Sequence, residues 1–522
     1  MQQVCVARDL NPRGPTPGGH PEYSTWAQYA AGLPASKEEC VSDLHPDGFE
    51  PESFLEERVS RRRVLKAGGA MLGAAVAGPL LFTTEKTYAE SLITANKSNL
   101  PYHANTGVKG SILFWHHWSS PLRHGAIRTA IRQFNQHYKR VHVTDVPFIF
   151  PDDQAKVLAA VAAGKGMPDV FVTDRPKMWN YGGVHHAFDT LTSLAKRDKI
   201  TGKEFWPFTW YESTYKGQVY ALPYETDCRV MYWNRALFID AGLNANKGPA
   251  TWNDLTPLAA KLDHKNGGQY DVVTFNPLWG ADLTAWPWDN RTDFQDKHMR
   301  PTVNNSRMIQ TAEWMKSWVD RYGKPNLDAI ASLSTGGKDQ FGLGHAATII
   351  DIPGRQSSMN FYGVTFTTKK GDKPFPYWGV GLLPHNTGGK SYSYSGGFSL
   401  SMPRNAHRSG AVRDASWEFM KFMSFVGQRT WAQLTFAIPT VPSIARNDSI
   451  LSAQPHWKTF MQAMALGHAG DRNLYDVLFP GDVIVTGTDA QDAIINGTKS
   501  AKDALDAAQA QALQNMKRNG GP

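Results

Sequence analysis

Two carboxylates one residue apart, Glu225 and Asp227, sit in the run Tyr224-Glu225-Thr226-Asp227. Paired acids are the working groups of glycosidases, which hold them about 5–10 Å apart on either side of the bond they cut. Alternate residues of one extended segment are placed by the pleat, not across a substrate. Neither Gly-x-Ser-x-Gly nor His-Glu-x-x-His occurs, so no nucleophile elbow or zinc-protease helix accompanies the acids. A secreted glycosidase is therefore a remote reading. Histidines come in adjacent pairs, His116-His117 and His185-His186. Neighbours on a strand or loop point apart, and no His-x-x-x-His supports ligation, so neither a metal nor a cofactor is expected. What remains is binding chemistry, with acids that accept hydrogen bonds, arginines that donate a planar fork, and aromatic planes.

The elements around these residues follow from periodicity. Ser111–Trp115 is a short β-run ending in Trp115-His116-His117-Trp118. A helix follows, with Ile127, Ile131 and Phe134 on one face. Val141–Val146 alternates as a strand, Gln154–Ala163 is a helix ended by Gly164, and Met167–Asp174 is a third strand. This alternation predicts βαβ units and a parallel sheet. Ligands of open α/β sheets bind beyond the carboxyl ends of strands, where Trp115, His116, Asp174 and Arg175 fall. Val219–Leu222 is β-prone and is expected to stop at Pro223, which cannot donate to a ladder. Val230–Trp233 resumes as a strand, Asn234 caps a helix that Gly242 ends, and Thr251 starts another with Asp254 in its first turn. Trp314, Met315 and Trp318 lie at core spacing on a later helix.

The chain has 522 residues, 41% hydrophobic and 20% charged, which allows two or more domains of an ordinary globular protein. The net charge of +8 is scattered and not gathered in a patch, so nucleic-acid binding is not expected. Residues 1–59, rich in Pro, Gly and acids, read as a disordered extension or a mis-assigned start. Ser60-Arg61-Arg62-Arg63-Val64-Leu65-Lys66 and the apolar run Ala67–Phe82 match a twin-arginine export signal, with Arg61 and Arg62 as its pair. Thr87-Tyr88-Ala89 is a small-residue site that places cleavage after Ala89, so 60–89 is the signal peptide. Cys5 and Cys40 precede it, which leaves Cys228 alone and excludes an internal disulfide in the mature chain. No lipoprotein cysteine follows the run.

The middle of the chain carries a more specific pattern: Gly217, Tyr220, Pro223, Trp233-Asn234, Ala241-Gly242-Leu243 and Pro249-Ala250-Thr251-Trp252-Asn253-Asp254-Leu255. It closely resembles the extracellular solute-binding proteins of bacterial ABC importers, the maltose-binding-protein-like family, and the likeness extends over roughly residues 108–516. The resemblance implies a two-lobed periplasmic-binding-protein-like α/β fold, each lobe a mostly parallel sheet flanked by helices. Lobe 1 would be 108–222 plus 397–445 and lobe 2 223–396 plus 446–516, joined by hinge crossings. It further implies a monomer without catalysis that captures a carbohydrate between the lobes and delivers it to the permease of an ABC importer. A polyol, glycerol phosphate ester or charged sugar is the alternative ligand.

Carried over residue by residue, the expected ligand contacts are Trp115, His116, Asp174, Arg175 and Asp227 from lobe 1 and the first crossing. From lobe 2 come Asp351, Arg355 and at least one of Trp279, Trp286 and Trp288, with Gly397 at the second crossing. Asp227 falls where some sugar binders carry an acidic contact, so Glu225 is left a hinge or solvent role. Asp351-Ile352-Pro353-Gly354-Arg355 replaces the family's frequent Gly-x-Trp, which turns the expectation toward a more polar ligand.

Overall fold

The computed structural model describes residues 103–518, apart from 150, 151, 284, 297, 299, 374–376 and 469–488. The N-terminal extension, the twin-arginine motif and the cleavage site lie outside the described residues.

Strands of the two principal sheets are numbered in chain order. The first sheet holds β1 (Gly110–His116), β2 (Val141–Pro147), β3 (Val170–Asp174), β4 (Ala221–Thr226), β8 (Gly397–Ser401) and β9 (Ile438–Pro439), in the spatial order β9-β4-β8-β3-β1-β2. β1 runs parallel to β2 and β3, as the βαβ pattern predicts, while β8 is antiparallel to β3 and β4. Helix α1 (Pro121–His137) buries Ile127, Ile131 and Phe134 against this sheet's core. Helix α2 (Asp152–Ala163) ends at Gly164, whose φ of +67° suits the left-handed region.

The second sheet has three strands, β5 (Val230–Asn234), β6 (Thr348–Asp351) and β7 (Trp378–Gly381), in the order β6-β5-β7. β5 is central and antiparallel to both neighbours, so this lobe's sheet departs from the mostly parallel expectation. The reason is topological: β5 enters directly from lobe 1 without a helical crossover, and strands joined that way have no need to run parallel. Asn234 caps α3 (Arg235–Asp240) by accepting from the amides of Ala236 and Leu237. Thr251 and Asp254 form a complete capping box at the head of α4 (Trp252–Leu262). Helix α5 (Ser306–Tyr322) buries Met315 and Trp318, whereas Trp314 is only half-buried. The helix pair Asp489–Ile495 and Ala501–Arg518 docks on α5, with Leu505 and Ala512 fully buried.

Pro223 does not end its strand. β4 continues to Thr226, with Pro223 opposite Ser399 where the register of β8 shifts. The irregularity accommodates the missing donor, and the Pro223 carbonyl accepts from the Thr440 hydroxyl at 3.2 Å. The sheets are therefore joined at Asp227–Arg229, a few residues beyond the expected boundary after 222, and again just before Gly397.

Candidate ligand-binding cleft

The two crossings lie side by side. The Asp227 carboxylate accepts from the Gly396 amide at 2.9 Å and from Arg229 at 2.7 Å, and its carbonyl accepts from the Ser395 hydroxyl at 2.6 Å. The Arg229 amide donates to the Tyr394 carbonyl at 3.0 Å. Gly397 holds φ +122°, and a Cβ there would stand 2.4 Å from the Glu225 carbonyl oxygen. Glycine is required for β8 to pack this closely on β4. Asp227 and Gly397 thus tie one crossing to the other; neither is a ligand group held open.

Arg175 corrects the sequence reading most clearly. Its side chain is fully buried, its Nε pairs with Glu212, and its Nη1 donates to the Glu225 carbonyl at 3.0 Å. Nη2 reaches Thr226 Oγ1 at 3.2 Å and the Gly396 carbonyl. The guanidinium pins both crossings to the end of β3, and its complete burial leaves no exposed part of the fork for a ligand. Asp174, half-buried beside it at the carboxyl end of β3, pairs in register with Phe398 and stays at the rim.

Lobe 2 holds similar corrections. Arg355 is clamped by Asp351 and Asp339, each at 2.7 Å, so neither Asp351 nor Arg355 is a bare polar contact. Trp286 and Trp288 are buried at 0% and 2% exposure because the single turn Trp286–Asp289 directs both indoles inward. Their N–H groups bond the Pro277 carbonyl and Asp293. Trp279 is buried at 9% in the same core. A cavity of about 350 Å³ lies between α4, α5 and Asn386, bordered by Trp252 and Trp314; none of the expected site residues lines it.

At the end of β1, Trp115 packs on Phe148 and is half-buried. His116 is fully buried, and with His124 and Asp145 it forms a cluster whose ligating atoms lie within 4.8 Å of one another. That spacing suits a metal, but the hydrogen bonding does not. The Trp118 amide donates to His116 Nδ1 at 3.2 Å, and burial pushes this histidine's pKa down. The neutral ring therefore carries its proton on Nε2, the atom that would have to ligate. Asp145, drawn well below the usual carboxylate range by its two histidines against the effect of burial, ties the end of β1 and the first turn of α1 to β2.

What sequence reasoning missed is the group that follows this loop. Trp118, Tyr224 and Trp431 form an aromatic triangle with ring centroids 4.3–6.0 Å apart. The Trp431 N–H donates to the Glu225 carboxylate. Glu225 is buried, which raises its pKa to about 7 against the lowering pull of Arg123. Arg123, in the first turn of α1, is half-buried and reaches toward the lobe-2 turn, with Nη2 3.5 Å from where a Cβ on Gly354 would be. Beside it the lobes touch directly: Ser357 at the start of α6 (Arg355–Phe361) donates to the Thr435 carbonyl at 2.7 Å. Thr435 ends helix α7 (Gln428–Thr435), which packs on α1. No short motif announces this group, since its members are scattered between positions 118 and 431.

Two sheets joined by paired crossings, with an aromatic and charged cluster at the strand ends between them, are the geometry of a two-lobed binding protein. The sequence model described as bacterial extracellular solute-binding protein matches residues 129–459, more than half of the chain. The chain belongs to that family. Among curated solute-binding relatives, a mannitol-binding protein of Pseudomonas aeruginosa is 24% identical over 332 residues, covering 59% of this chain and 71% of that one. An sn-glycerol-3-phosphate-binding periplasmic protein of Agrobacterium fabrum is 21% identical over 364 residues, covering 65% and 76%. A solved structure of CpMnBP1 with mannotriose bound superposes with a TM-score of 0.65 at 22% identity, covering 77% of this chain and all of that one. The solute-binding assignment accounts for the two-lobed α/β fold and sets the expected location as extracellular or periplasmic.

Proposed function

We propose that this solute-binding protein captures a carbohydrate or polyol between its lobes and presents it to the permease of an ABC importer, without chemical change to the ligand. The observation that carries this reading is the pair of adjacent crossings, beside which the buried Trp118, Tyr224, Trp431 and Glu225 and the half-buried Arg123 gather between the two sheets. Binding that bridges both lobes favours the closed arrangement by its differential affinity for it. The names of the relatives, for mannitol, mannotriose and sn-glycerol 3-phosphate, support polyhydroxylated ligands. Bond cleavage is not proposed, because the Asp227 carboxylate is engaged by the Gly396 amide and Arg229 in joining the crossings.

A thermal-shift screen of the purified chain against neutral sugars, oligosaccharides, polyols and their acidic derivatives tests the reading. One class is expected to raise the melting temperature by several degrees, with the ligand recovered intact by chromatography. No shift across the panel, or recovery of cleaved sugar, would count against it. Export through the twin-arginine route is part of the proposal; replacing Arg61 and Arg62 by lysine should hold the precursor inside the cell, and undiminished export would refute that route.

A further inference from the structure

Most charged groups around the crossings are already neutralised at short range. Arg175 pairs with Glu212, Asp227 with Arg229, and Arg355 with Asp351 and Asp339. Arg123 differs. Among the described residues it makes no hydrogen bond and no ion pair, although it is half-buried and stands between Glu225 in lobe 1 and the Ile352–Gly354 turn of lobe 2. Two further donors belong to the same cluster and are buried without a partner, the Trp118 indole N–H and the Tyr224 hydroxyl. A buried donor left unpaired costs about 1–3 kcal/mol, but protein encloses both of these atoms, and Arg123 is the cationic group of the cluster with surface to offer a ligand.

Resting on the solute-binding reading above, we infer that Arg123 recognises an anionic group on the ligand, so that the solute is an acidic sugar or a polyol ester carrying a carboxylate or phosphate. An arginine fork matches the planar oxygens of either group, and a partly buried charge pair of this kind is stronger than a neutral hydrogen bond. A neutral sugar would leave the guanidinium, desolvated by lobe closure, with no counter-charge beyond Glu225, which is only partly ionised near neutral pH.

Glu225 gives the inference a second signature. Arg123, Arg175, Asp227, the Tyr224 hydroxyl and the Trp431 N–H all face its carboxyl group. An anion held at Arg123 repels ionised Glu225, so binding draws a proton onto it. With an unliganded pKa near 7, anion affinity is full below that value and falls as pH rises through it.

Isothermal titration of the whole protein with galacturonate, sn-glycerol 3-phosphate, galactose and mannitol tests this. At least one acidic probe is expected to bind about tenfold or more tightly than its neutral counterpart. Arg123→Gln should remove that preference while leaving the melting temperature within a degree or two. Galacturonate keeps a constant charge between pH 6 and 8, and over that range its affinity should fall by up to about tenfold; Glu225→Gln should flatten the profile. Equal binding of neutral and acidic probes, or an unchanged preference in Arg123→Gln, overturns the inference and leaves the solute-binding reading intact. Binding of none of the four also overturns it, and the thermal-shift panel then decides separately whether any carbohydrate is taken.

Discussion

Arg175 and Arg123 both act electrostatically on Glu225, yet they belong to different kinds of place. Arg175 is fully buried and surrounded by acceptors from three parts of the chain: Glu212, the β4 end at Glu225 and Thr226, and the Gly396 carbonyl. Arg123 is half-buried, carries no hydrogen bond among the described residues, and stands where the lobes approach. An arginine saturated by protein acceptors builds structure, and one left open between two lobes is available for recognition. Position at a strand end does not separate the two cases; the partner inventory does.

The largest expected effect comes from the saturated side. Arg175→Ala leaves Glu212 buried without its counter-charge, and breaking such a pair costs about 3–5 kcal/mol. Chemical denaturation should show a loss of that size in Arg175→Ala and about 0.5 kcal/mol or less in Arg123→Ala. Equal losses in the two variants would erase the distinction. A smaller effect should come from Gly397→Ala. The new methyl meets the Glu225 carbonyl, and φ +122° is costly for any side chain, together about 1–3 kcal/mol. If the crossings move as one unit, this variant should also weaken ligand binding although no ligand group is altered. Unchanged stability and affinity would show that the crossings tolerate separation.

Much of the scaffold was legible because its signals are local. The Asn234 cap, the Thr251–Asp254 capping box, the apolar face of α1 and the glycines after helices each lie within a few residues of what they control. The strand–acid–strand passage at 221–234 was also readable as a crossing, although Pro223 misled about its start. The site was less legible because burial and pairing are long-range. Asp174-Arg175 looked like an exposed contact pair, but the acceptors that engage Arg175 lie 37 to 221 residues away in sequence. Trp286-Pro287-Trp288 looked hard to bury whole, yet a carbonyl and a carboxylate within nine residues satisfy both indoles. No motif sets Arg123 apart from the other basic residues of α1. The ranking of the two acids shifted as well: Asp227 joins the crossings, while Glu225 sits among the aromatic rings.

Cys228 occupies the first crossing, wholly buried, with its thiol directed to the Phe460 carbonyl at 3.6 Å. Burial pushes the thiol well above its usual pKa, so almost no thiolate exists at neutral pH and alkylating reagents find neither access nor a nucleophile. Cys5 and Cys40 precede the proposed processing site, which makes Cys228 the sole thiol of the processed chain. Its rate of modification would then measure how often the crossing comes apart, and slower labelling in the presence of a bridging solute would time that event without any introduced probe.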